Sequence, residues 1–306
     1  PSSNWNSASG ASAAISNPSV LNENWVIMVL PQLEQQNLYN AFDLDQSIAL
    51  PVNADARGTR LSVMECPSDG ANRQPFNGSA ASETNQMGDG WARGNYAANA
   101  SLGAMNPPNL CGSFAGVPNC CAYPDSAGWP RKELQGVMGA NASVNIDNIR
   151  DGTSNTILLA EVRAGIHPAD TRGIWAMSGG ASSLWGHGSY MGDGNGPNAA
   201  GIGGDNLPAC NSIVASFGCS VWNNCPELAK LNMTCYPLQH NQQSARGLHQ
   251  GGVLTAFADG SVHLISNFVD ISGDVSSDPS VWDRLNASND GYVLDASTYG
   301  EFGSLA

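Results

Sequence analysis

An Asp-Gly dipeptide, Asp259-Gly260, lies between two apolar segments of alternating pattern in the run 247–265. Both residues tolerate the positive φ angles of a tight two-residue turn, and Asp-Gly between such segments is a strong short-range hairpin signal. We therefore expect a β-hairpin near the C-terminus. The apolar positions expected in it are Val253, Thr255 and Phe257 in the leading strand and Val262, Leu264 and Phe268 in the returning strand.

Turn-forming residues recur along the whole chain. Five further Asp-Gly dipeptides begin at Asp69, Asp89, Asp151, Asp193 and Asp290. The 306 residues include 35 glycines and 17 prolines, and only 12% of the residues are charged. This composition favours many turns and short strands, so we predict an α+β fold with an antiparallel sheet and few short helices.

Helices are expected at two places. Pro31 suits the first turn of a helix that has Leu30, Leu33, Leu38 and Phe42 on one rough face. A second helix is predicted after Asp278-Pro279, with the Asp as its cap. The residues expected to dock this second helix are Val281, Trp282 and Leu285.

Extended segments are predicted from short apolar runs bounded by turn residues. These segments are residues 60–64, residues 95–100 and the buried run 156–162. Residues 173–176 are predicted to be the neighbour of the buried run in the sheet.

The chain has eight cysteines, mostly in loops rich in Gly, Pro and Asn: Cys66, Cys111, Cys120, Cys121, Cys210, Cys219, Cys225 and Cys235. Their spacing lacks the close Cys pairs of zinc sites, so we expect disulfides formed in an oxidising compartment. Eight cysteines allow about 105 connectivities. Closure between near neighbours favours Cys225 with Cys235, Cys210 with Cys219, and Cys111 with Cys120 or Cys121, which leaves Cys66 for the remaining one.

The acidic balance of the chain excludes some partners. A net charge of −14, from 26 acids and 12 bases, excludes nucleic acid and anionic membrane surfaces as binding partners. Divalent cations remain open. A Gly-rich run offers the oxygen donors that calcium prefers at Asp193, Asn195 and Asp205, although it does not match an EF-hand.

The histidine before the hairpin, His249, invites a catalytic pairing with Asp259. Residues ten apart along a strand are separated by about 33 Å, so the two side chains are not expected to meet. We expect Asp259 to form the turn, and His249 to hydrogen-bond backbone carbonyls or to pack against an aromatic ring. No nucleophile elbow, zinc helix or phosphate-binding loop is present, so we predict that the protein is not an enzyme. A hydrolase that uses His249 or His263 is a weaker alternative.

The segments around these residues resemble a large bacterial family of prepilin-like proteins of unassigned function, abundant in planctomycetes. The resemblance rests on His249, nine intervening residues and Asp259-Gly260, together with four further landmarks. They are WVIMVLPQLEQQNLYN at 25–40, CPSD at 66–69, DGTSNTILLAE at 151–161 and VWDRL at 281–285. The family implies a pilin-like domain, here 25–306. Residues 1–24 lack periodicity and are expected to be a peripheral arm, and loop-rich insertions are expected at about 101–145 and 178–245.

Members of this family normally begin with a basic leader and a long apolar helix. The first twenty residues here are rich in Ser, Asn and Ala, and no window approaches the ~18 apolar residues of a membrane span. We expect that the helix was either removed or is not used. The resemblance implies an extracellular or cell-surface structural protein that forms or decorates a filament or pseudopilus, with other pilin-like subunits as partners.

The alternative is a secreted module that binds a carbohydrate or another ligand. Eight tryptophans are present, and several lie in Gly-rich, Pro-rich or Asn-rich loops, where exposed rings contact sugars or proteins. Trp185 and Trp222 are the candidate contact residues. No cofactor other than the possible calcium is expected.

Overall fold

The computed structural model describes residues 23–100, 135–139, 142–178, 182–186, 196–199, 205–222, 225–237, 243–271, 279–292 and 294. Most of the predicted arm at 1–24 and most of the insertion at 101–145 lie outside these ranges. The predicted single domain over 25–306 stays a prediction. Among the described residues, no helix has the length and apolar character needed to cross a bilayer.

The described strands are β1 (Phe76–Asn77), β2 (Asp89–Trp91), β3 (Tyr96–Asn99), β4 (Met138–Gly139), β5 (Ala142–Ser143), β6 (Ile157–Glu161), β7 (Leu184–Trp185), β8 (Gly252–Phe257) and β9 (Val262–Ser266). Five of them form one sheet in the order β7-β3-β6-β8-β9, and the others form two separate pairs. Within the large sheet only β3 and β7 run parallel. The predicted runs 95–100 and 156–162 thus become β3 and the central strand β6.

The described α-helices are all short: α1 (Trp25–Val29), α2 (Gln36–Tyr39), α3 (Ala54–Arg57), α4 (Cys210–Ser216), α5 (Pro226–Lys230) and α6 (Val281–Asn286). Short 3-10 helices lie at Leu30–Leu33, Pro51–Asn53, Ser62–Met64, Gly70–Arg73, Gly78–Ala80, Asn85–Met87 and Ile146–Asn148. The predicted α+β class, with a largely antiparallel sheet, few short helices and disulfide-bonded loops, is confirmed.

The C-terminal hairpin is present, but its loop is one residue longer than predicted. Phe257 N–H donates to Ser261 O, and Gly260 has a φ of 88°. Val253 therefore pairs with Ile265 and Thr255 with His263. A one-residue change of register turns every side chain of a strand to the other face. Ile265 is consequently buried, whereas Val262 and Phe268 are exposed.

Two predicted strands are wrong. Residues 62–64 of the run 60–64 form a 3-10 helix. Residues 173–176 are not in the sheet, where the neighbours of β6 are β3 and β8. Gly173 has a φ of 73°, which interrupts an extended run, and Ile174 forms only an isolated bridge with Arg93. Trp175 packs instead edge-on against Phe42 in an apolar core around α1.

The two predicted helices differ from expectation mainly at their ends. The helix expected at Pro31 is a 3-10 turn that follows α1 and stops at Glu34, whose φ is 60°. α6 begins at Val281 and is capped by Ser280, whose hydroxyl and backbone form a capping box with Asp283. The predicted cap, Asp278, lies outside the described residues. Val281, Trp282 and Leu285 are buried in a second core as expected, together with side chains of β6 and β8.

The predicted pairing of the last four cysteines is wrong. The disulfides are Cys210–Cys235 and Cys219–Cys225, with Cα–Cα distances of 5.6 and 5.4 Å. Cys210 is the first residue of α4 and Cys219 lies three residues after its end, so a helix of 7 residues, about 10 Å long, separates these neighbours. Cys225 and Cys235 likewise flank α5. Instead, Cys219–Cys225 links the segment after α4 to the start of α5, and Cys210–Cys235 links the start of α4 to the segment after α5.

The remaining four cysteines divide between the described and undescribed residues. Cys66 is buried and free, contrary to its predicted disulfide. Cys111, Cys120 and Cys121 lie outside the described residues, so their expected bridge stays a prediction.

Candidate functional site

Three side chains from distant parts of the chain meet beside the central strand. Nε2 of His249 lies 2.9 Å from Oε1 of Glu161 and 3.9 Å from Sγ of Cys66. The three donor atoms all lie within 4.8 Å of one another. Each side chain belongs to a different sequence landmark, namely 66–69, 151–161 and the hairpin motif. The fold therefore brings three landmarks to one point.

Cys66 is fixed by buried amide side chains. Its backbone N–H donates to Oδ1 of Asn95 at 2.9 Å, and its carbonyl accepts from Nδ2 of Asn72 at 3.0 Å. Asn95 also donates to Asp69 and to the carbonyl of Val162. Because Asn95 directly precedes β3, these bonds hold the Cys66 loop against the sheet.

Asp69, the last residue of the same landmark, has a structural role. Its carboxylate caps the 3-10 helix Gly70–Arg73 and forms a buried ion pair with Arg163 at 2.9 Å. It also accepts the N–H of Ala164 at 3.0 Å. Since Arg163 follows β6 by two residues, this pair ties the Cys66 loop to the strand that carries Glu161.

Glu161 ends β6 and is 2% exposed. Its Oε2 accepts the N–H of Leu254 in β8 at 2.9 Å, so Oε1 is the oxygen that faces His249. Gly247 allows this arrangement, because a Cβ at that position would lie 2.6 Å from Oε2. The backbone N–H of Arg246 donates to the Glu161 carbonyl at 2.8 Å. The segment before β8 is thus pressed directly against the carboxylate.

His249 is the accessible member of the cluster, with 32% of its side chain exposed. Its ring contacts the carboxylate of Glu161 rather than the backbone carbonyl or aromatic ring expected from the sequence. Asp259 lies in the hairpin turn, where Oδ1 accepts from the N–H and hydroxyl of Ser261. His249 and Asp259 are therefore engaged with different partners.

Burial dominates the electrostatics around Cys66. It raises the pKa of the Cys66 thiol, and hydrogen bonds from the backbone and side chain of Ser68 oppose that rise only in part. Tyr96 lies directly opposite Glu161 in the β3–β6 ladder. Burial raises the pKa of Tyr96 as well, and the negative charges of Cys66 and Glu161 add to the effect.

The directions of the contacts limit the chemistry of the cluster. In a Cys-His-acid relay the thiol and the carboxylate bond to opposite nitrogens of the imidazole, and the thiol pKa is lowered. Here both groups face Nε2 of His249, and the pKa of Cys66 is raised. Three donors converging on one point is the arrangement of metal ligands. A second set of potential ligands, Cys219, Cys225 and Glu227, has both sulfurs in a disulfide.

The proposed calcium ligands separate into two groups. Asp193 and Asn195 lie outside the described residues. Asp205 is fully buried and its Oδ2 accepts from Arg172 at 2.7 Å and from Arg246 at 2.8 Å. Its Oδ1 accepts the N–H of Ser244 at 2.9 Å. This carboxylate neutralises two buried guanidinium groups, whose charges would repel a cation.

The tryptophans predicted to contact a ligand are engaged in packing. Trp185 is fully buried and stacks on Trp282 with ring centroids 5.6 Å apart, so it has no surface to offer a ligand. Trp222 is half-buried and packs edge-on against Tyr236 at 4.2 Å. The predicted ligand contact of Trp185 is therefore wrong, whereas that of Trp222 stays a prediction.

The sequence drew attention to His249 but not to its two partners. Glu161 and Cys66 each end or begin a landmark, and this was the only signal that they shared with His249. No periodicity connects positions that lie 88 and 183 residues from His249 along the chain.

Comparison with known protein families gives a match over most of the chain. A family model described as "Protein of unknown function (DUF1559)" matches residues 1–272. No curated protein and no solved structure matches the chain.

Proposed function

This chain belongs to the DUF1559 family of proteins of unknown function, and we propose that it is an extracytoplasmic, pilin-like structural protein. In this role it forms or decorates a surface filament or a secretion-type pseudopilus and is not an enzyme. The partner is a second copy of the chain or a similar subunit. Repeated head-to-tail contacts between such subunits build an open helical array when the rotation does not close.

The observation that carries the proposal is the outer edge of β9. Among the described residues no strand pairs with this edge of the sheet. Val262 is 63% exposed, and Phe268, just after the strand, is 88% exposed. An unpaired edge with exposed apolar side chains is a template for association with another chain. The β9 edge is therefore the contact surface that we assign to subunit assembly.

The disulfides support the proposed location. Cys210–Cys235 and Cys219–Cys225 lie in one loop-rich insertion. Disulfides of this kind persist in oxidising compartments such as the periplasm and the cell surface. A non-catalytic role agrees with the contacts of His249, whose Nε2 faces both the acid and the thiol.

Electron microscopy and light scattering of natively purified protein test the proposal. We expect polymers or repeating assemblies, and we expect Val262→Lys and Phe268→Asp to reduce them by placing charge on the β9 edge. Val63→Lys is the matched control, because Val63 is 53% exposed and lies in the 3-10 helix Ser62–Met64, outside the sheet. Monodisperse monomers at every concentration, or equal loss of assembly in the control, would refute the proposal.

A further inference from the structure

We propose that Cys66, Glu161 and His249 form a binding site for one divalent transition-metal ion, with zinc as the best-fitting ion. The donor set is one sulfur, one imidazole nitrogen and one carboxylate oxygen. Zinc binds all three donor types, whereas calcium and magnesium take oxygen ligands. The inference is independent of assembly, because it concerns the interior of one subunit.

The separations of the donor atoms suit a tetrahedral ion. Zinc bonds of about 2.0–2.3 Å place neighbouring donors roughly 3.3–3.6 Å apart. The observed separations from Nε2 of His249 are 3.9 Å to Cys66 and 2.9 Å to Glu161, on either side of that range. Shifts of about half an ångström bring these two separations into that range, and all three donor atoms lie within 4.8 Å of one another.

The surroundings hold the donors in place without occupying them. Leu254 N–H takes the other oxygen of Glu161, which directs Oε1 toward the cluster. Ser68 donates to the sulfur of Cys66, and N–H donors of this kind stabilise a thiolate ligand. Such outer partners orient ligands in protein metal sites. Glu161, with Oε2 fixed by Leu254 and Oε1 facing His249 and Cys66, is therefore oriented to bind a metal ion.

The ion would join three segments that the backbone does not connect directly. These are the Cys66 loop, the end of β6 and the segment that enters β8. With three protein ligands a fourth position would remain for water. The bound ion would fasten the Cys66 loop and the hairpin to the central strand.

Zinc titration of chelator-stripped protein, with a chromophoric chelator as competitor, tests the site. We expect one equivalent to bind, and we expect Cys66→Ser and His249→Gln each to weaken binding by roughly a hundredfold or more. His263→Gln is the matched control, since His263 is exposed on β9 and its ring nitrogen bonds to Ser261 and not to a member of the cluster. The control should bind as the wild type does.

Cobalt substitution keeps the test independent of the variants. Cobalt bound to intact wild-type protein should give a thiolate-to-cobalt charge-transfer absorption, which Cys66→Ser abolishes. Absence of zinc binding by the wild type would overturn the proposal, and so would equal zinc affinity in Cys66→Ser. Peptide mapping that places Cys66 in a disulfide with a cysteine outside the described residues would overturn it as well.

Discussion

Replacing Asp205 with Asn is expected to lower the free energy of unfolding by about 3–5 kcal/mol. The carboxylate accepts from Arg172, Arg246 and the Ser244 N–H at 2.7, 2.8 and 2.9 Å. An amide keeps one acceptor for Ser244 but turns its NH₂ toward the two guanidinium groups. Two charge-assisted hydrogen bonds are then lost, each worth about 1.5–3 kcal/mol. Losses of ~3–5 kcal/mol are typical when one partner of a buried ion pair is removed.

Arg246 should account for most of this cost. Arg172 retains its pair with Asp170 at 2.6 Å, whereas the ion pair of Arg246 among the described residues is with Asp205. Burial already lowers the pKa of Arg246, and the charge of Asp205 is the largest influence that opposes this. Without Asp205 a guanidinium group is buried next to other positive charges, which is the costly situation.

Urea unfolding followed by tryptophan fluorescence at neutral pH measures the change, with and without a calcium chelator. Glu227→Gln is the control, because its pair with Lys230 is exposed and 3.9 Å long, and its loss should cost less than about 0.5 kcal/mol. A loss below about 1 kcal/mol for Asp205→Asn would refute the reasoning. A loss seen only when calcium is present would instead make Asp205 a calcium ligand.

Three further changes test separate features. Burial and the neighbouring Asp151 raise the pKa of Asp290 from 3.8 to about 7. The stability that the protonated form of Asp290 contributes is therefore complete below about pH 4 and lost as the pH rises through 7. Asp290→Asn should raise the free energy of unfolding, measured in urea, by about 1 kcal/mol at pH 8 and by little at pH 4. Gly260→Ala should cost about 1 kcal/mol in the same assay, because the φ of 88° disfavours a side chain; an unchanged midpoint would contradict the turn geometry. Trp185→Ala should cost about 3–5 kcal/mol through loss of its stack on Trp282, and a near-wild-type midpoint would show that the ring is not part of the core.

The sequence specified the hairpin but not its register. Asp259-Gly260 marks a turn with either a two-residue or a three-residue loop, since glycine supplies the positive φ in both. Only the longer loop pairs Val253 with Ile265 and leaves Val262 exposed. The choice depends on which residues of the returning strand the core accepts, and that information lies elsewhere in the chain. Burial of alternate residues was therefore predictable in β8 and not in β9.

The cysteines show the same limit in another form. Loop-closure entropy favours pairing between sequence neighbours, and that reasoning predicted Cys210 with Cys219. The helix α4, which begins at Cys210, separates the two cysteines. The nine-residue spacing between them does not predict a helix there. Local stiffness thus overrides the entropy of a flexible loop. Elimination among the eight cysteines predicts a disulfide for Cys66, whereas Cys66 is free and its backbone is bonded to Asn72 and Asn95.

The spacing between His249 and Asp259 has a geometric reason in the sheet. β8 has six residues and covers about 20 Å; the N–H of Leu254, its third residue, holds Glu161, and the turn follows the far end of the strand. The hairpin itself requires only Asp259 and Gly260, because the bonds of the turn are local. The ring of His249 makes no contact with that turn and faces Glu161 and Cys66. The nine intervening residues, which include all six of β8, therefore anchor one end of the motif in the turn and bring the other end to the three-residue cluster.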